Sequence, residues 1–208
     1  MRSTFFKQSL QYQIEIDGEN WTQGEKIKGE LTVRNMISET VFVKDSQVII
    51  AYGLKKNIKS GNESPWEVLE KQVLTKNISL HAGAEQSYEW FFQLETDCPI
   101  TDKQGGLYLL FGGEDTLSEG GRIDLPIRLH PILQNFLQTF TTQFFFMEKY
   151  QKRKSDWTEV KLLPPESKEF PNMDFVRCFL RISQEHLEAQ YLFKMSGLGR
   201  SGEKMTVT

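Results

Sequence analysis

The chain has 208 residues, of which 38% are hydrophobic, 12% aromatic and 25% charged, with a formal net charge of −3. This composition excludes a disordered tail, and a prior of roughly 100–200 residues per domain leaves one large domain or two small ones. A pI of about 5.7 lies far from the value above ~9 expected of nucleic-acid-binding domains, and no run of ~18 apolar residues offers a membrane span.

From the start of the chain, Met1-Arg2-Ser3-Thr4-Phe5-Phe6-Lys7 lacks the apolar stretch and small-residue cleavage site of a signal peptide, which makes the cytoplasm the expected location. Leu10, Tyr12, Ile14 and Ile16 then alternate with Gln11, Gln13 and Glu15, the period of a half-buried strand. The same alternation recurs at Ile27, Gly29, Leu31 and Val33, at Val41 and Val43, and at Val48, Ile50 and Tyr52. It continues at Ile78 and Leu80, through Tyr88, Trp90, Phe92 and Leu94, and at Leu107, Leu109 and Phe111. Asp17-Gly18, Gln23-Gly24, Ser60-Gly61-Asn62, Ala82-Gly83 and Gln104-Gly105-Gly106 supply turn residues that tolerate positive φ. Short strands at this density predict an antiparallel sandwich. Ser64-Pro65-Trp66-Glu67 has the spacing of a capping box, compatible with a helical turn or a strand connection.

The stretch from Gly112 to Gly121 is glycine-rich and acidic, and 114–121 reads as a linker between an N-terminal sandwich over 1–113 and a smaller C-terminal one over 122–208. Alternation resumes at Ile123, Leu125, Ile127 and Leu129, with Pro126 marking an edge or bulge, because proline cannot donate to a central ladder. Pro131 opens a segment in which Ile132, Leu133, Phe136, Leu137 and Phe140 recur at helical spacing, predicting a short amphipathic helix over 131–141 that covers one end of the second sheet. Strands follow at Val160 and Leu162, from Val176 to Ile182, and from Leu187 to Met195. The predicted fold class is all-β: two tandem immunoglobulin-like antiparallel sandwiches with one short helix in the second.

Chemistry-bearing patterns are sparse. The chain has no phosphate-binding loop, no dinucleotide fingerprint, no G-x-S-x-G elbow and no H-E-x-x-H pair. His81, His130 and His186 lie far apart and read as turn or cap residues, although a spatially assembled triad would leave no sequence trace. Cys98 and Cys178 fit no metal or redox spacing and are expected as free thiols, and the acids Glu114, Asp115 and Glu119 do not match a calcium-loop pattern. No cofactor, metal or catalytic residue is expected. Two basic clusters are the candidate partner-binding residues: Lys55, Lys56 and Lys59, and Lys149, Lys152, Arg153 and Lys154 with Trp157, the second read as a hairpin tip. Splitting the chain at Asp115 leaves 12 Lys and Arg against 17 Asp and Glu before the cut and 13 against 11 after it, an asymmetry that can steer an acidic partner to the second half or simply let the two halves attract one another; the second half is the first place to look for an acidic partner.

Trp21-Thr22-Gln23-Gly24-Glu25-Lys26-Ile27-Lys28-Gly29-Glu30-Leu31-Thr32-Val33 resembles an early turn and strand of the arrestin-like superfamily. The stretch from Leu80 through Gly83, Trp90 and Leu94 to Cys98-Pro99-Ile100-Thr101 is similar to a later strand of that superfamily and its exit at proline. His130-Pro131, the helix after it and Phe144-Phe145-Phe146 are similar in appearance to the bacterial sporulation-control branch. The resemblance implies a non-catalytic adaptor or regulatory scaffold acting through protein contacts. Homodimerisation through sheet edges and peripheral membrane contact are compatible with it; nucleic acid is not an expected partner. The alternative is a cytoplasmic sandwich that binds carbohydrate or acidic lipid headgroups, suggested by Trp21, Trp66 and Trp157 near turns.

Overall fold

A computed structural model describes residues 1–61, 65–183 and 186–196. Ser64 and Asn62, assigned above to a capping box and a turn, lie outside the described residues, and Trp66 and Glu67 belong to a strand. In chain order the elements are β1 (Arg2–Lys7), β2 (Leu10–Ile16), β3 (Trp21–Thr22), β4 (Lys26–Asn35), β5 (Val41–Leu54), α1 (Lys55–Lys59), β6 (Trp66–Leu80), β7 (Glu85–Gln93) and β8 (Gly105–Gly112). Then come α2 (Thr116–Glu119), β9 (Gly121–Leu125), β10 (Ile127–Arg128), α3 (Pro131–Gln138), a π-helical turn (Thr139–Gln143), β11 (Met147–Lys154), β12 (Trp157–Leu163), β13 (Met173–Ser183) and β14 (His186–Met195). The chain is mostly β and antiparallel, as the alternation predicts.

Two compact units result. The first holds Met1–Trp21, Glu25–Leu94 and Lys103–Ile127; the second holds Thr22–Gly24, Glu95–Asp102 and the chain from Arg128 onward. The predicted linker at 114–121 is corrected by this division, because it lies inside the first unit. There α2 forms, Lys44 pairs with Glu114 at 2.5 Å, Lys7 pairs with Asp115 at 3.0 Å and with Glu119 at 2.9 Å, and β9 joins β8. Glycines and acids look alike in a linker and in a tight connection, and only the cations that meet the acids tell the two apart.

In the first unit the sheets β1-β2-β4-β7 and β6-β5-β8-β9 form a sandwich. Tyr12, Ile14, Ile27, Leu31, Val33, Trp90 and Phe92 from one sheet are buried, as are Val48, Ile50, Leu107, Leu109, Phe111 and Leu125 from the other. Each such side chain contributes roughly 1.5–3 kcal/mol when fully buried. Every residue of β8 is buried, because its opposite face also carries a cluster: Ile49, Ala51, Tyr108 and Leu110, with Ile58 of α1 and Trp66 packed on it. Gly105-Gly106, predicted as a turn, are the first residues of β8. A Cβ at Gly105 would stand 2.6 Å from the Tyr52 hydroxyl and 2.7 Å from the Gly53 carbonyl oxygen, so close approach, and not a turn, demands the glycine.

In the second unit the described residues form a four-stranded antiparallel meander, β11-β12-β13-β14. One face carries Val160, Leu162, Val176, Cys178, Leu180, Ile182 and Ala189, packed with Ile100, Leu129, Leu133, Leu137 and Phe146. The layer opposite the sheet is thus α3 and extended segments around it. Pro131 stands in the first turn of α3, and the His130 Nδ1 atom accepts the Ile132 N–H at 3.3 Å as the N-cap. Gln23, 3% exposed, ties the extended segments together: its Nε2 donates to the Cys98 carbonyl at 2.6 Å, and its Oε1 accepts the His130 N–H at 3.0 Å. Pro126 falls in the break between β9 and β10, where it has no ladder donor to supply, and its carbonyl accepts the Trp21 N–H.

Candidate functional site

With apolar residues at Val176, Cys178, Leu180 and Ile182 turned to the core, strand period fixes what β13 presents on its other face: Phe175, Arg177, Phe179 and Arg181. Register brings Glu159 opposite Phe179 and Lys161 opposite Arg177 from β12, and Lys152 opposite Glu159 and Lys154 opposite Trp157 from β11. From β14 it brings Glu188 opposite Arg181 and Lys194 opposite Phe175. The outer face is therefore a lattice of cations and rings. Lys154 Nζ lies 4.6 Å from the Phe179 centroid, Arg181 Cζ 4.4 Å from Trp157, and Lys152 Nζ 5.2 Å from Tyr150. Phe175 is approached by Lys161 at 4.3 Å, Arg177 at 5.0 Å and Lys194 at 5.7 Å. Such contacts occur roughly once per 70–80 residues in proteins at large, so this face concentrates them.

Glu159 anchors the face. It is 2% exposed; Tyr150 donates to it at 2.6 Å, and Lys152, Arg177 and Lys154 stand 3.5, 3.7 and 4.0 Å from its carboxylate. Burial of the ring, and then the hydrogen bond to the Glu159 carboxylate, push the Tyr150 hydroxyl up from its ordinary range. Arg177 counts as an ion-pair partner of Glu159, yet its solvent-shielded Nε makes no hydrogen bond. The 3.7 Å separation accounts for both facts. Three cations thus share one carboxylate and leave positive charge in excess. Toward one edge, Arg181 pairs with Glu188 at 2.7 Å and Asp156 at 2.6 Å; the Glu188 carboxylate foremost raises its guanidinium further. Lys194 pairs with Asp174 at 3.0 Å, and the Ser196 hydroxyl and Lys194 hold that carboxyl below its usual range. A depression of about 310 Å³ opens on this face between Lys154, Ser155, Asp156, Trp157, Phe179 and Gln190.

The sequence-expected residues are distributed unevenly over this geometry. Lys152, Lys154 and Trp157 lie on the face. Arg153, opposite Thr158 in the register, lies on the other side of β11, and its backbone N–H donates to Asp102 at 3.2 Å; Lys149 is the extra residue of a bulge between Glu148 and Tyr150. The cluster runs along a strand and is not the hairpin tip it was expected to be: the tip is Ser155-Asp156, with Ser155 in the left-handed region at φ 55°. Lys55, Lys56 and Lys59 lie in α1 of the first unit, whose Ile58 packs against the buried cluster there. Sequence reasoning missed Glu159, Lys161, Phe175, Arg177, Arg181 and Lys194. For Phe175, Arg177 and Arg181 the signal was present in the positions between the core residues of β13, where ring and cation alternate, while Glu159, Lys161 and Lys194 join them through strand pairing.

Most of the other reactive side chains are engaged within the fold. Burial drives both thiols up to about 12, with Asp97 and Glu95 adding to the effect at Cys98. Both cysteines are free. His130 caps α3, His81 lies in the turn before β7 beside Thr40, and His186 opens β14. Among the described residues no group of three or more His, Cys, Asp and Glu is arranged to hold a metal ion, and no helix is long and apolar enough to cross a membrane. The indoles expected near turns are engaged: Trp21 is buried, Trp66 packs edge-on to Tyr108 and donates to the Leu117 carbonyl, and Trp157 is covered by Arg181.

Tandem antiparallel β units with one helix in the second define an all-β protein of arrestin-like fold. The chain is similar in structure to Spo0M, the sporulation control protein from Bacillus subtilis, with a TM-score of 0.68 at 12% identity over 91% of this chain and 80% of that one. Weaker likenesses include the alkylpurine DNA glycosylase AlkC from Pseudomonas fluorescens (TM-score 0.35, 15% identity, 61% of this chain and 30% of that one) and a β-glucosidase from Listeria innocua (TM-score 0.35, 10% identity, 60% and 17%). No family model and no curated protein matches the sequence.

Proposed function

We propose that this protein is a non-catalytic adaptor or regulatory scaffold that acts in the cytoplasm through protein–protein contacts. The observation that carries this reading is the outer face of the β11–β14 sheet. It spends cations and aromatic rings on a surface that contributes nothing to the core beneath it, and a solvated face needs only polar residues. The likeness to a sporulation control protein supports a regulatory role in place of catalysis. His130, engaged as the cap of α3, and the ion-paired acids support it as well.

Photo-crosslinking in cells tests the reading. A photoreactive residue at Gln190, on the face, and another at Gln13, in the first unit, should capture a discrete protein partner from at least one position. Repeated experiments that yield no protein adduct from either would overturn it.

A further inference from the structure

One rule of sheet stability is broken on this face. Lys161 and Arg177 stand directly opposite each other on the β12–β13 ladder, a like-charge pairing that destabilises a sheet. Lys194 joins them around the Phe175 ring, and their distances to its centroid, 4.3, 5.0 and 5.7 Å, keep the three charges within about 11 Å of one another, comparable with the Debye length of about 10 Å at 0.1 M. Asp174 neutralises Lys194, while Arg177 shares Glu159 with two lysines. Among the described residues Lys161 has a ring beneath it and no carboxylate at ion-pair distance, its charge being felt by Asp174 only from farther away. A cluster that repels itself on a sheet face, and is held there by cation–π contacts, is completed by an external anion.

We infer that this face, centred on Lys161, Arg177 and Lys194 around Phe175, docks an extended acidic segment of a partner protein. The inference rests on the adaptor reading and names the chemistry of its partner. The spread of the cations suits a polypeptide: they lie on three neighbouring strands, each about 4.8 Å from the next, a span that acidic side chains at alternate positions of an extended segment, about 6.8 Å apart, can bridge. The rings favour it over a bilayer. Phe175, Phe179 and Trp157 are half-buried under their cations and have nothing to insert into hydrocarbon, whereas the stems of acidic side chains find apolar contact beside them.

A fluorescent dodecapeptide alternating Glu and Thr should bind the full-length protein and lose affinity steeply as salt rises, while its Gln-Thr counterpart should bind at least about tenfold more weakly. Lys161→Ala with Lys194→Ala should weaken binding by about tenfold or more, while the melting temperature moves by no more than about 2 °C, relief of the like-charge pair offsetting the lost Lys194–Asp174 pair and ring contacts. A merely structural role for these lysines predicts the reverse, a fall in melting temperature with peptide affinity intact, and would overturn the inference. So would equal affinity for the Glu and Gln peptides, or binding to phosphatidylserine vesicles without binding to the acidic peptide. A partner crosslinked in cells whose binding survives the double substitution ends this inference and leaves the adaptor reading standing.

Discussion

Asn35 offers a test of how the first unit holds its hairpins together, because one isosteric change inverts its chemistry. The residue ends β4 with no exposed surface, and its Nδ2 donates to the carbonyls of Leu80 and His81 at 3.0 Å each and of Glu39 at 2.6 Å, while Oδ1 accepts the Ile37 N–H at 3.1 Å. One side chain thus staples the β4–β5 connection to the end of β6. Asn35→Asp keeps the shape and puts an acceptor against three acceptors. The folded protein must then bury a carboxylate, at several kcal/mol, or protonate it. Protonating a group of pKa ~3.9 at pH 7 costs about 4 kcal/mol, and the acid still has one fewer hydrogen to donate, worth about 1 kcal/mol. The expected loss at pH 7 is therefore about 5 kcal/mol. The folded pKa is raised, so the stability the neutral acid confers is fully present below pH ~3.9 and is lost as pH rises; the deficit should shrink by about 1.4 kcal/mol per unit on acidification, to about 2 kcal/mol at pH 4.5. Urea unfolding followed by tryptophan fluorescence measures both values, in a Trp157→Phe background so that only the first unit reports. A deficit below about 1 kcal/mol at pH 7, or one that is equal at the two pH values, would refute the staple.

Three further outcomes are expected. Both buried thiols have folded pKa values of about 12 against 9.0 unperturbed. The stability they confer is fully present below pH 9 and falls as pH rises toward 12, by up to about 1.4 kcal/mol per unit for each; Cys178→Ala should flatten this alkaline slope in guanidinium titrations, and an unchanged slope contradicts the assignment. Gln23→Leu leaves the Cys98 carbonyl and the His130 N–H without their partner and should cost about 2–3 kcal/mol, visible as faster backbone hydrogen exchange near His130. Gly29→Ala places a Cβ 2.0 Å from the Glu15 carbonyl oxygen and 2.7 Å from the Trp90 ring, so overpacking of about 1–3 kcal/mol should outweigh alanine's smaller entropic cost in a strand; a variant as stable as the parent excludes that contact.

Alternation alone determined the all-β class, most of the strands and which residues of each face the core, because a period of two is local and survives any tertiary arrangement. His130-Pro131 likewise announced α3, since a cap and a proline at the first turn act within a few residues. Several features needed the third dimension. The acids of 114–121 read as a linker until Lys7 and Lys44, far away in sequence, were seen to meet them. The basic run at Lys149–Lys154 read as a tip until the register of β11 on β12 divided it, sending Lys152 and Lys154 to one face and Arg153 to the other. Charge total and composition placed positive excess somewhere in the second half. Only strand pairing, which sets residues from β12, β13 and β14 side by side, gathered Lys161, Arg177 and Lys194 around one ring, because the forces that specify that register come from the apolar face beneath them.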